Sequence, residues 1–347
     1  MSGVMTGQGV SADYFGNRST GLACSGRCAI LLKKLCREGP ILYRHALSLC
    51  AGAIAALSVA AVARAADSEH CRQLGDRLRI EKAEVSAIEI SLALFSATDE
   101  NCTGLATELL DGGASVDARD RFGARPLSHA ARNGHLEMVD LLLAHGAPIN
   151  ARNLAGATAL YFAAERGHIA VAQRLIERGA DVKLTGRSGL SPVAAAAYAG
   201  SDAIVEMLLA HGADGRAPDE TGKPPIVYAA ARAKLDIVKR LLVRDVDVNA
   251  RYANNLTLLM WAAGPDEKVT EADALKVVTY LLDAGAHVDD RDARGRTALM
   301  IAAEGGRAEI ANLLLARGAD PSLKDNGGKR AADLATVSSL RQRLMVP

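Results

Sequence analysis

A period of 33 residues governs this chain. Segments starting at residues 120, 153, 186 and 219 align without gaps, with "DRFGARPLSHAARNGHLEMVDLLLAHGAPI" lying over "NLAGATALYFAAERGHIAVAQRLIERGADV". The segment at 252–291 is the same unit with seven extra residues, and 292–324 returns to the original length. A degenerate unit at about 87–119 precedes them, and a partial one at 325–347 follows and stops after about one helix. Such a period excludes one folded-back core. Each unit is too small to bury its own apolar face, and stacking against neighbours does so. Apolar residues make up 49% of the 347 residues and aromatics only 3%, so that shared core is expected to be Leu, Ala, Val and Ile.

The fixed positions have physical reasons. Gly123 and its equivalents sit at turn tips, where a positive φ is cheap for Gly, and Asn255 takes that place in the sixth unit. Pro126, Pro192 and Pro225 stand at helix starts, where the missing N–H has no partner to lose. Thr158, Ser191, Thr257 and Thr297 are placed to cap those helices. Ala pairs such as 163/164 let first helices approach, Leu pairs such as 208/209 form the buried face of second helices, and glycines such as Gly146 end them.

The motifs "G-x-[TS]-[PA]-L/V", "AA" and "LLxxGA", recurring in register over roughly 87–340, resemble the ankyrin repeat family. The resemblance implies an all-α ankyrin-repeat solenoid of helix–turn–helix units with β-turn or hairpin connections, about six to eight repeats including degenerate caps. The end units are expected to show a more polar outer face. The resemblance also implies a protein-binding groove on the face of the turn tips and inner helices. The free positions there are Arg121, Phe122, Arg132, Asn133, Glu165, Arg166, Arg187, Tyr198, Glu220, Lys223, Arg232, Arg294, Arg296 and Glu304. They lean basic, so the expected partner is a protein with an acidic patch, bound by a monomer. Two departures stand out. The family's His after the Leu is replaced by Ser128, Tyr161, Ala194, Val227, Met260 and Met300, so its contacts with the turn should be largely missing. Ala233 and Asp245 replace glycines in the fifth unit, which should be strained or bent there.

No spacing for catalysis, a metal or a cofactor survives inspection. The expected protein is not an enzyme and carries neither metal nor cofactor. His135 and His168 fall in the slot between paired helices, and His145 and His211 at helix C-termini, so the register explains all four. Trp261 shares a core slot with Phe162 and Tyr228. The insertion at 264–273 reads as a solvated loop, with recognition as the alternative because insertions gather on one face.

The N-terminus has its own pattern. Lys33, Lys34, Arg37 and Arg44 precede the apolar run 46–63, then "ARA" and "ADSEH". A positive region, an apolar segment and a small-x-small site compose an export signal. Cleavage is expected between Ala65 and Ala66, leaving 66–86 ahead of the repeat domain at 87–347. The Ala-rich run is of bacterial type, and the first 30 or so residues read as an unstructured leader. An uncleaved membrane anchor at 46–63 is the alternative, as is secretion to act on a host protein. Residues 1–65 hold seven Lys and Arg against two Asp and Glu. The whole chain is at +1, so the remainder has 34 basic and 38 acidic residues, a net of −4, which disfavours nucleic acid as a partner. That remainder keeps Cys71 and Cys102, which an oxidising compartment would pair; two separate buried thiols are the alternative.

Overall fold

The computed structural model describes residues 69–80, 86–243, 246–264 and 266–345. The predicted leader, the cleavage site at Ala65 and Ala66, and Asp245 lie outside them. Among the described residues every regular element is helical. After α1 (Glu69–Ile80) the helices come in pairs: α2 (Ala87–Asp99) and α3 (Thr103–Asp111), α4 (Pro126–Asn133) and α5 (Leu136–Ala144), α6 (Ala159–Arg166) and α7 (Ile169–Glu177), α8 (Pro192–Ala199) and α9 (Asp202–Ala210). The series continues with α10 (Pro225–Ala231) and α11 (Leu235–Leu242), α12 (Leu258–Ala263) and α13 (Glu271–Asp283), α14 (Ala298–Glu304) and α15 (Ala308–Ala316). First helices pack on first helices and second helices on second helices, giving a two-layered solenoid. A disulfide joins Cys71 on α1 to Cys102 at the start of α3, with Cα atoms 5.5 Å apart.

Local chemistry sets the helix starts. The hydroxyls of Thr158, Ser191, Thr257 and Thr297 accept from the backbone N–H three residues on. Each such cap is worth about 1 kcal/mol. Pro126, Pro192 and Pro225 occupy first positions. Between the layers runs a ladder of Leu142, Leu175, Leu208, Leu241, Leu281 and Leu314, all at most 2% exposed. In the Leu pairs the other member is only half-buried at Leu141, Leu242, Leu282 and Leu313. The pairs therefore do not bury both side chains equally.

A second device ties each turn. Asp120, Asn153, Asp219, Asp292 and Asp325 each accept through Oδ1 from the N–H groups two and four residues on. These Asx bonds replace backbone partners inside the turn. Gly186 and Tyr252 hold the same position and lack the carboxylate or amide. There the turns at Arg187–Gly189 and Ala253–Asn255 tighten into 3-10 form, with Ser188 and Asn254 at φ of 56° and 58°. Gly186 is fixed by close approach: a Cβ there would lie 2.7 Å from the Tyr161 ring.

Three expectations are corrected. The C-terminal unit holds two helices rather than about one, α16 (Ala331–Leu334) and α17 (Ser338–Met345). The N-terminal unit does not present a polar face, because Ile88 and Leu92 are 73% and 60% exposed. Its first helix starts at Ala87, whereas one period before Pro126 is residue 93. Helix therefore replaces the turn that precedes the first helix in later units, and among the described residues no preceding repeat unit covers its i,i+4 stripe. The insertion is not a free solvated loop. Part of it adds a turn to α13, capped by Thr270. Asp266 takes two bonds from Arg232 Nη1 at 2.8 and 2.9 Å, and Glu271 accepts from the N–H groups of Glu309 and Ile310 at the start of α15. The insertion is thus a strap across three units.

The fifth unit carries the anticipated strain at Ala233, whose φ is 52°. The left-handed conformation costs an L-residue roughly 1–2 kcal/mol, partly offset because Gly loses more backbone entropy on folding. Ala233→Gly is expected to stabilise the protein by up to about 1 kcal/mol, read as a higher urea midpoint. An unchanged or lower midpoint would show that the strain is relieved elsewhere.

Candidate functional site

The inner face of first helices and turn tips carries a row of aromatic rings with cations laid on them. Phe162, Tyr228 and Trp261 occupy one register position on α6, α10 and α12. The Arg132 guanidinium lies 4.0 Å from the Phe162 ring centre. Lys223 Nζ lies 6.0 Å from Tyr228 and 5.5 Å from Trp261. Arg232 sits 4.9 Å above Tyr198, and Tyr198 meets Tyr228 edge-on at 6.4 Å. Such contacts are worth about 0.5–1 kcal/mol when exposed, and they hold flexible cations in place.

The sequence-predicted positions separate into two sets. Arg166, Arg187, Glu220 and Arg294 are exposed, and none has an ion-pair partner among the described residues. Arg121 lies over Phe122, 4.7 Å from the ring centre, at the tip of the second unit. The other set is not free. Arg232 is held by Asp266. Arg296 is gripped by Asp292 and Glu304, both on its own unit. Asn133 donates to Asp99 at 3.0 Å, and Glu165 lies near enough to the Tyr161 hydroxyl to raise its pKa. These residues read as free from position alone, because their partners lie up to 34 residues away.

The missing-His expectation also needs amending. In two units the neighbouring position supplies the contact with the turn. His129 Nε2 reaches Asp120 Oδ2 at 3.2 Å, while its Nδ1 reaches Asp99 Oδ1 at 2.8 Å. The Tyr228 hydroxyl donates to Asp219 Oδ2. His129 was not singled out from the sequence, although an Asp nine residues before it was a readable signal. His135 and His168 do bridge units, through the carbonyls of Asp99 and Arg132, both at 2.9 Å. Trp261 is packed against the core with its Nε1 unpaired.

Burial alone would raise the carboxyl pKa values of Asp120, Asp219 and Asp266. Hydrogen bonds outweigh it and hold all three below the usual carboxylate range: Ala124, His129 and Phe122 for Asp120, Tyr228, Lys223 and Thr221 for Asp219, and Lys268 and Arg232 for Asp266. Burial, then Glu165, pushes the Tyr161 hydroxyl up to about 12, so it stays a neutral donor. A carboxyl lowered in the folded state stabilises it above the unfolded pKa, near about 3.9, and that stability is lost as pH falls through the folded value. Stability is therefore expected to fall steeply below about pH 4. Asp266→Asn should reduce the drop in urea midpoint between pH 7 and pH 3, and an unchanged drop would show that the Arg232 pair does not carry it.

The arrangement offers fixed donors and ring faces. Among the described residues no group of three or more His, Cys, Asp or Glu could hold a metal. A family model described as ankyrin repeats, in three copies, matches residues 94–186, 183–252 and 226–325. Human "Ankyrin repeat domain-containing protein 63" is 37% identical over 81 residues, 23% of this chain and 20% of that protein, so the chain spans about a fifth of that relative's length. The crystal structure of the human ASB11 ankyrin repeat domain is similar at a TM-score of 0.57 and 30% identity, covering 64% of this chain and 97% of that one.

Proposed function

Because the chain belongs to the ankyrin repeat family, whose repeats are protein-binding scaffolds and generally non-catalytic, we propose that it is an exported, non-catalytic scaffold that grips an acidic protein in the cell envelope. One observation carries the partner chemistry. Arg166, Arg187 and Arg294 stand exposed on the inner face without carboxylate partners among the described residues, beside Lys223 stacked on Tyr228 and Trp261. Arg and aromatic side chains together are the usual anchors of protein interfaces. Export is supported by the leader pattern of residues 33–66 and by the Cys71–Cys102 disulfide, a bond that persists in oxidising compartments.

The test has two parts. Intact mass from fractionated cells, with and without reduction and alkylation, is expected to show a soluble envelope species starting at Ala66 with both cysteines protected. A full-length species with free thiols would overturn export. In-cell cross-linking should then capture an envelope protein that is lost from the triple variant Arg166→Glu, Arg187→Glu, Arg294→Glu, with an unchanged melting temperature. Retention of the same partner by that variant would reject the groove as the binding face.

A further inference from the structure

We propose that the joint between the fifth and sixth units is a hinge in the solenoid, latched by the Arg232–Asp266 ion pair. The inference concerns the scaffold's own motion and holds whatever the groove binds. Neighbouring turn tips are tied by backbone bonds. The N–H of Leu154 donates to the Phe122 carbonyl at 3.0 Å, Glu220 to Ser188 at 3.0 Å, Ala293 to Asn254 at 3.0 Å and Asn326 to Arg294 at 2.9 Å. Two joints lack this bond. Among the described residues, the Arg187 N–H does not reach the Ala155 carbonyl, and the Ala253 N–H does not reach that of Thr221.

The cause lies at the first residue of the turn. Both joints lead into a unit whose turn begins with Gly186 or Tyr252 in place of Asp or Asn. Where Asn153 takes the N–H groups two and four residues on, the N–H of Leu154 between them is left to donate to the preceding tip. In the 3-10 turns at Arg187–Gly189 and Ala253–Asn255 the tip still accepts from the following unit but no longer donates to the preceding one. The joint before Gly186 has a substitute, because Arg152 bridges the carbonyls of Gly156 and Thr185 on either side of it. The residue at the same register before the fifth unit's turn is Pro218, which offers no donor.

Polar contacts across the joint between the fifth and sixth units therefore come from side chains. Arg232 at the end of α10 donates to both oxygens of Asp266, at 2.8 and 2.9 Å. Lys223 lies over Trp261, and Lys239 lies 5.7 Å from the Tyr280 ring centre. Asn249 donates to the Gly285 carbonyl at 3.2 Å and accepts from the His287 N–H at 2.8 Å. The insertion thus supplies its latch at the joint where the backbone bond is missing. Side chains can follow a change of angle that a bond between two backbones resists. In a solenoid each unit contacts only its neighbours, so bending gathers where the units are least tied, and segments with few internal backbone bonds open first. Arg166 and Arg187 lie before the hinge and Arg294 after it, so its angle sets the spacing of the exposed cations.

Distance distributions between nitroxide pairs on the full chain test this, with the labels carried on p-acetylphenylalanine so that the cysteines stay untouched. One pair replaces Arg187 and Ala293 and spans the joint. The control pair replaces Arg121 and Glu220 and spans the same number of units without it. All four positions are exposed turn tips. The first distribution should be at least about twofold broader than the control. Tyr252→Asn supplies the missing acceptor and should narrow the first distribution toward the control. Asp266→Asn removes the charge of the latch and should broaden it further. Neither substitution should move the control pair. Thermal melts are recorded for each variant, and if Tyr252→Asn unfolds early through its lost ring, Asp266→Asn decides alone. Equal widths for the two pairs overturn the proposal, because bending would then be uniform along the stack. A broad first distribution that Asp266→Asn leaves unchanged also overturns it, because the ion pair would then latch nothing.

Discussion

Leu208→Ala is expected to lower the unfolding free energy by about 2–5 kcal/mol, the largest effect of any single substitution considered for this protein. Leu208 is fully buried on α9, between Leu175 and Leu241 in the ladder that joins the second helices. Its surroundings cannot collapse easily. The first helix of the same unit contributes Ala194, Ala195, Ala196 and Ala197, all buried, and such short side chains cannot reach into a cavity. The cost should therefore be near the upper end, since it grows with the residual cavity. Position adds a second consequence. In a solenoid each unit contacts only its neighbours, so a central defect weakens two interfaces at once. Urea unfolding followed by circular dichroism should show a lower midpoint and can split into two transitions. The half-buried Leu141 provides the comparison, and Leu141→Ala should cost distinctly less. Equal losses at both sites would show that the ladder is not the main joint between units.

Replacing Cys71 and Cys102 together by Ala is expected to cost about 2–4 kcal/mol, the value for closing a loop of this length in the unfolded chain. The bond joins residues 31 apart in sequence, and both cysteines are buried, at 4% and 0% exposure. Its effect should be local as well as global, because it fastens α1 to α3 at the end of the stack. Limited proteolysis and hydrogen exchange should report early opening within 69–80 and little change beyond α4. A variant that keeps the parent's midpoint and protects α1 as well would show that packing alone holds that helix.

The two substitutions rest on different kinds of legibility. The Leu208 position was visible in the repeat, since periodicity marks the apolar face before any coordinates exist. The same holds for the Thr and Ser caps, the Pro starts and the strain at Ala233, all of which are local backbone effects. The Cys71–Cys102 pairing could be argued only from compartment and number. The turn-tying Asp and Asn side chains were equally periodic, at 120, 153, 219, 292 and 325, and could have been found by asking what satisfies each turn.

The sequence by itself determined the repeat, the order of helices, the residues that start and stop them, and the absence of any familiar catalytic spacing. These follow from preferences that act within a few residues. Only the tertiary structure decided which charges are available. Arg232 meets Asp266 and Arg174 meets Asp140 across 34 residues, because one period of chain brings equivalent positions of adjacent units side by side. It alone also revealed the uncovered stripe of Ile88 and Leu92. Whether a helix face is buried depends on what the stack places opposite it, and at the first unit nothing among the described residues covers that stripe.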